Sequence, residues 1–151
     1  MFPFTTSSSS AWSSPTSTFL DSSQGYLPIW LNIVASVALL NSVTNFFSAS
    51  ASHKVYSSEK GKTQATPLAG RVFATWNLTS ALIRFYAAQD INSKSAYELA
   101  MLSFVVALIH FGSEVVGPKT IQVKGVGSLA PFVVAAGSLV AMATQYKHYV
   151  A

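Results

Sequence analysis

The chain has 151 residues, half of them apolar, a mean hydropathy of +0.41, and 9 basic against 5 acidic side chains. A soluble domain carries about a quarter charged residues to cover its surface, so this composition points to lipid as the solvent and away from a soluble domain. The net charge of +4 does not indicate nucleic acid, because the lysines are scattered between apolar runs and form no patch with interleaved aromatics. With no cysteine, disulfides, thiolate metal sites, cysteine nucleophiles and S-palmitoylation are excluded.

Residues 1–26 include TTSSSSAWSSPTST, free of Lys and Arg, followed by Asp21 and the turn-like QGYLP. This composition predicts a disordered Ser/Thr-rich N-terminal tail. A secretory signal needs a basic start and an apolar stretch of roughly 7–15 residues; neither is present, so no cleavage is expected. Four apolar segments follow, Leu27–Phe47, Leu68–Ala88, Ala96–Val116 and Val126–Tyr146. At 1.5 Å per residue each spans roughly 30 Å, the thickness of a bilayer core. The expected architecture is therefore an all-α membrane protein, a four-transmembrane-helix bundle over residues 27–151.

The connection Gln89–Ser95 is short, with Asp90 and Asn92 supplying turn chemistry, so the second and third segments are expected to form an antiparallel hairpin. The longest loop is 48–67. Four crossings place 48–67 and 117–125 on one side with Lys54, Lys60, Lys62, Lys119 and Lys124, against Lys94 and Lys147 on the other. The positive-inside rule then puts those loops in the cytosol and both termini opposite. Tyr26, Trp30, Tyr97, Tyr146 and Tyr149 flank the segments as interface anchors.

The first and fourth segments carry no charge, whereas the second holds Arg71 and Arg84 and the third Glu98, His110 and Glu114. Asn77, Ser80 and Arg84 share one helical face, as do Ser103, Ala107, His110 and Glu114. Two such stripes on adjoining helices suggest a shared interface. By depth along the hairpin, Arg84 is level with Met101 and within reach of Glu98, and Arg71 is level with Glu114, but both pairs cannot form in one interface. A central ionisable residue costs roughly 2.5–3.5 kcal/mol to insert, more than the roughly 0.6 kcal/mol of a polar interhelical contact. The residues Arg71, Asn77, Arg84, His110 and Glu114 are therefore the candidate intramembrane polar patch or partner interface.

Other chemistry finds little support. His110 and Glu114 have metal-ligand spacing, but no further ligands accompany them. KGVGS has neither a dinucleotide nor a phosphate-loop arrangement and reads as a hinge into the last helix, and the NLT at Asn77 lies inside a segment where glycosylation cannot reach it. Gly137 and Ala141 form one small-xxx-small pair. No catalytic set, metal or cofactor is expected.

The strings GYLPIWL, HKVY, TPLAGRVFATWNLTSALIRFYAA and YELAMLSFVVALIHFGSE, in this order, resemble the ergosterol biosynthetic protein 28 family in its fungal form, from about Gly25 to Tyr149. The motif residues would be Arg71, Trp76, Arg84, Tyr86, His110, Phe111, Gly112, Ser113 and Glu114. The resemblance implies a multi-pass protein of the endoplasmic reticulum membrane that is not an enzyme and tethers the sterol 4-demethylation enzymes. Its partners would be a 4-methyl-sterol oxidase, a 4-carboxysterol decarboxylase and a 3-ketosteroid reductase. The final YKHYVA lacks a paired-lysine retrieval pattern, so retention would depend on the spans or on partners. The competing reading is a sterol-binding or sterol-transfer protein, with Phe73, Trp76 and Phe111 lining an apolar groove.

Overall fold

Pro28, in the first turn of α1 (Leu27–Phe47), gives up an N–H that has no helical partner there. In the computed structural model, which describes residues 19–150, the chain then enters a short 3-10 helix (Ala49–Lys54) and α2 (Glu59–Gln64). The stretch expected as the longest loop is thus largely helical. Three longer elements are α3 (Pro67–Gln89), α4 (Lys94–Val116) and α5 (Val126–Tyr149), and no strand occurs among the described residues. Ser58 and Thr66 cap α2 and α3 by accepting from Gly61 N and Ala69 N at 2.9 and 3.3 Å. At α5, Gly125 N donates to Ser128 Oγ at 3.3 Å, so KGVGS is a helix cap and not a free hinge.

Three helices, α1, α4 and α5, are long and apolar enough to cross a membrane, and α3 is not. This corrects the expectation of four equivalent spans. The cause is the side chains that α3 carries, with Arg71, Asn77, Ser80, Arg84 and Gln89 diluting its apolar content. Its exposed Thr75 and Thr79 donate to carbonyls one turn back, Arg71 O and Thr75 O, at 3.0 and 3.1 Å, which removes their need for water.

The tail expected to run to residue 26 lies outside the described residues up to 18, and residues 19–26 are built into the fold. Asn32 Nδ2 donates to Phe19 O at 3.2 Å, and Tyr149 Oη donates to Gln24 O at 2.7 Å. Gly25, with φ +90°, makes the turn into α1, and a side chain there would run into the Tyr149 hydroxyl.

The bundle packs an apolar core around Leu31, Phe104 and Met142, buries several polar side chains among these, and turns many large apolar side chains outward. Asn32, Ser138 and Arg84 are 1%, 0% and 7% exposed, whereas Leu40, Ile109 and Val140 are 67%, 65% and 63% exposed. The most extensive seam joins α1 to α3. Ala35, Ala38 and Ser42 on α1 and Gly70, Ala74 and Ala81 on α3 are all buried, and small residues let the backbones approach closely. Ser42 Oγ crosses that seam to donate to Ala74 O at 2.7 Å.

Between α4 and α5, tyrosines hold the helices. Tyr97 is wholly buried and donates to Met142 O at 2.6 Å, and Tyr146 donates to Glu98. Tyr97 is thus an interhelical bolt and Tyr149 a tie to the segment before α1, both buried where their positions suggest lipid-interface anchors; Tyr26 remains 81% exposed.

At one end of the bundle, loops 48–66 and 117–125 lie together. Ser58 N and Oγ both donate to Thr120 O, and Ser57 Oγ donates to Gln122 O while accepting from Gln122 N. The turn 90–93 and the described chain ends occupy the other end, where Gln89 Nε2 donates to Asn32 Oδ1 at 3.2 Å. The expected pairing of loops by side is met.

Candidate functional site

The five candidate residues do not form one patch. Arg84 and Asn77 line a cavity of about 300 Å³ between α1, α3, α4 and α5, with Ser80 between them on the same face of α3. His110 and Glu114 face a smaller crevice of about 160 Å³ under α2. Arg71 is exposed near the start of α3.

Helical spacing on α3 places Asn77, Ser80 and Arg84 along one line. Arg84 Nε donates to Ser103 Oγ at 3.1 Å and Nη2 to Ser103 O at 3.5 Å, and the guanidinium carbon lies 4.0 Å from the centre of the Phe104 ring. Ser103 can accept because its own hydroxyl proton is directed to Ala100 O at 2.7 Å. The expected stripes of α3 and α4 therefore meet at Arg84 and Ser103. Asn77 Nδ2 donates to Phe73 O at 3.2 Å, which leaves its carbonyl oxygen for the cavity.

Neither expected ion pair forms. Glu98 turns to Tyr146 on α5, and Glu114 accepts from the Thr120 hydroxyl in the loop beyond its own helix. The single salt bridge among the described residues is Lys62 to Glu59 on exposed α2, at 2.8 Å.

In the crevice, Tyr56 Oη and His110 Nε2 share a hydrogen bond of 2.8 Å. Burial, reinforced by the nearby Glu114 carboxylate, pushes the Tyr56 phenol above its usual value, so it remains protonated at any physiological pH. Aromatic rings surround the pair: Trp76 and Phe111 each lie 5.2 Å from the His110 ring centre, and Phe73 lies 5.7 Å from Tyr56. Gly61 allows α2 to sit directly on the Thr120 carbonyl; a Cβ at this position would overlap that oxygen.

An open apolar groove of about 600 Å³ runs outside this crevice, lined by Leu68, Val72, Phe73, Trp76, Val106 and His110. Phe73 and Trp76 line both this groove and the inner cavity, and so form the wall between them. Phe111 joins them on the cavity side.

Sequence reasoning missed Tyr56, Ser103 and Thr120 as partners of these groups. Tyr56 sits in the HKVY string, 54 residues from His110, and nothing in local spacing links them. Ser103 was on the expected stripe, and its pairing to Arg84 could have been found from the depth match at the hairpin.

Described residues that are helical without strands, with buried polar groups set in an apolar core, large apolar side chains facing outward and three helices able to cross a bilayer, define a small membrane protein with internal cavities. It belongs to the Erg28 family: residues 27–140 match the family model described as Erg28 like protein. Ergosterol biosynthetic protein 28 of Saccharomyces cerevisiae is 40% identical over 127 residues, covering 83% of this chain and 84% of the relative. The protein of that name from Candida albicans is 37% identical over 126 residues, covering 83% and 89%. Ergosterol biosynthetic protein 28 homolog of Homo sapiens is 32% identical over 114 residues, covering 75% and 79%. No solved structure matches the chain.

Proposed function

We propose that this protein is a non-catalytic scaffold of ergosterol biosynthesis in the endoplasmic reticulum membrane. It holds a 4-methyl-sterol oxidase, a 4-carboxysterol decarboxylase and a 3-ketosteroid reductase together. The observation that carries this reading is membership of the Erg28 family, with relatives named for ergosterol biosynthesis across most of the chain. The physical form suits it, because exposed apolar helix faces such as those bearing Leu40, Ile109 and Val140 can bind neighbours inside the bilayer. Enzymes held on one platform meet at effective concentrations of order millimolar for short tethers, so reactive sterol acids and ketones pass between them with little time free.

In this reading residues 27–151 form one transmembrane domain behind the 1–26 segment. α3 crosses the bilayer beside the three apolar helices, with its polar face sheltered by α1 and α4. His110 and Glu114 act on partner choice by fixing the loop cap through Tyr56 and Thr120, and Arg71 contributes an exposed cation at the same end. A pull-down of the tagged chain from native membranes in mild detergent is expected to recover the three enzymes together; recovery of none of them overturns the scaffold. The double variant His110→Leu, Glu114→Leu is expected to lose these complexes, and retention of normal complexes and sterol flux overturns the role given to the pair.

A sterol-binding or sterol-transfer role is the second reading, favoured by the cavity that Phe73, Trp76 and Phe111 line. Stoichiometric sterol on the purified chain without the enzymes would move the conclusion to it.

A further inference from the structure

Arg84 is a buried cation without a counter-charge. The chain has five acidic side chains, and each is placed elsewhere: Asp21 accepts from Ser23 N, Glu59 pairs with Lys62, Glu98 and Glu114 accept from Tyr146 and Thr120, and Asp90 is exposed at the α3–α4 turn. Both hydrogen bonds that Arg84 makes go to neutral atoms of Ser103, and its Nη1 has no partner among the described residues. Taking such a charge out of water without a counter-charge is costly. One neutral serine and one ring face do not neutralise it.

We propose that the cavity between α1, α3, α4 and α5 binds an apolar molecule bearing one carboxylate, with Arg84 binding the carboxylate. The geometry supplies both halves of such a ligand. The cavity is walled mainly by apolar side chains, among them Phe73, Trp76, Phe104 and Phe111, and Arg84 with its helical neighbours Ser80 and Asn77 lines one side. A guanidinium and a carboxylate match as a bidentate fork, and the pair is strongest where water is excluded. A carboxylate here would neutralise Arg84 and engage the nitrogen now lacking a partner.

The cavity also has an entrance. Exposed Val37 on α1, Gly127 and Ala130 on α5, and Lys54 stand at its rim, between two helices that touch each other far less than they touch their other neighbours. From Phe73 to Arg84 the wall runs about 16 Å along α3 at 1.5 Å per residue. A volume of about 300 Å³ is at the small end for ligand sites. It takes the acidic head and part of the body, and the remainder emerges between α1 and α5 into lipid. Resting on the scaffold reading above, the fitting occupant is a sterol acid; a free fatty acid carries the same chemistry.

The test is equilibrium binding of three probes, a 4-carboxysterol, its methyl ester and oleate, to the full chain in nanodiscs. The acid is expected to bind at least about tenfold more tightly than the ester, the scale of a charge-assisted pair. Arg84→Met should abolish that preference, Arg84→Lys should retain part of it, and Lys60→Gln on the exposed α2, away from the cavity, should leave it within about twofold, as a solvated charge. Arg84→Met removes a buried charge while keeping side-chain volume, so the fold is expected to survive. Equal binding of acid and ester, or undiminished acid binding by Arg84→Met, overturns the proposal. Oleate binding as tightly as the sterol acid supports the site and assigns it to fatty acids. Enzyme co-purification is read separately, so loss of acid binding with complexes intact distinguishes this site from the scaffold.

Discussion

α1 presents opposite solutions to its two neighbours. Toward α3 it offers Ala35, Ala38 and Ser42, meets Gly70, Ala74 and Ala81, and closes the seam until a serine hydroxyl reaches the opposite backbone. Toward α5 it offers the exposed Val37 and the half-buried Asn41, and a cavity opens. At the far end of this second seam Trp30 Nε1 ties α1 to Ser138 Oγ at 2.9 Å, and at the near end Gly127 lies against the Lys54 carbonyl. Lipid tails are as apolar as the side chains, so hydrophobicity does not drive either seam; close packing and hydrogen bonds do. The comparison teaches that rigidity and capacity are separated here by how closely the helices approach, one seam being closed onto the opposite backbone and the other, though Gly127, Ala130 and Ala135 line it, left open as a cavity.

The same substitution on the two seams tests this most directly. Ala74→Leu, at a position with no exposure, is expected to destabilise by about 3 kcal/mol or more through overpacking. An unchanged thermal midpoint in detergent would break the account of a sealed seam. Gly61→Ala, which drives a methyl into the Thr120 carbonyl, should cost about 1–3 kcal/mol by the same cause and unseat the loop cap. Loss of the Tyr56–His110 hydrogen bond, read from the imidazole NMR shifts, would accompany it. Ser42→Ala should cost about 0.5–1.5 kcal/mol, the net worth of one hydrogen bond, in the same melting experiment. Ala130→Leu on the open seam should stay within about 0.5 kcal/mol, as surface changes do, while reducing ligand access to the cavity. A cost equal to that of Ala74→Leu would show that the second seam is also packed.

Much of this layout was legible because apolar run length is a one-dimensional signal. The first segment is matched from Leu27 to Phe47, and the others begin or end within three residues of their expected limits. Depth was legible for the same reason: counting from the hairpin set Arg84 level with Met101, and the residue it engages is Ser103, about 3 Å further at 1.5 Å per residue. Azimuth was not legible. Which way Glu98 faces depends on Tyr146 arriving from α5, and Glu114 is taken by Thr120 from a loop whose fold no periodicity announces. The α1–α3 seam was not legible either, because small-residue packing is signalled most plainly by glycine pairs, whereas alanines and a serine at spacings of three and four line its α1 side. Gly137, the glycine of the one such pair in the last helix, has no neighbour at its vacant Cβ position.

The wall made by Phe73 and Trp76 has an optical consequence. Of the three tryptophans, Trp12 lies outside the described residues and Trp30 is anchored at the opposite end by Ser138. Of the two described tryptophans only Trp76 borders both the inner cavity and the outer groove, so its indole emission reports the polarity of either compartment. Filling one volume would shift the colour of a ring that also faces the other, giving the native chain a built-in fluorescent gauge of occupancy without a label.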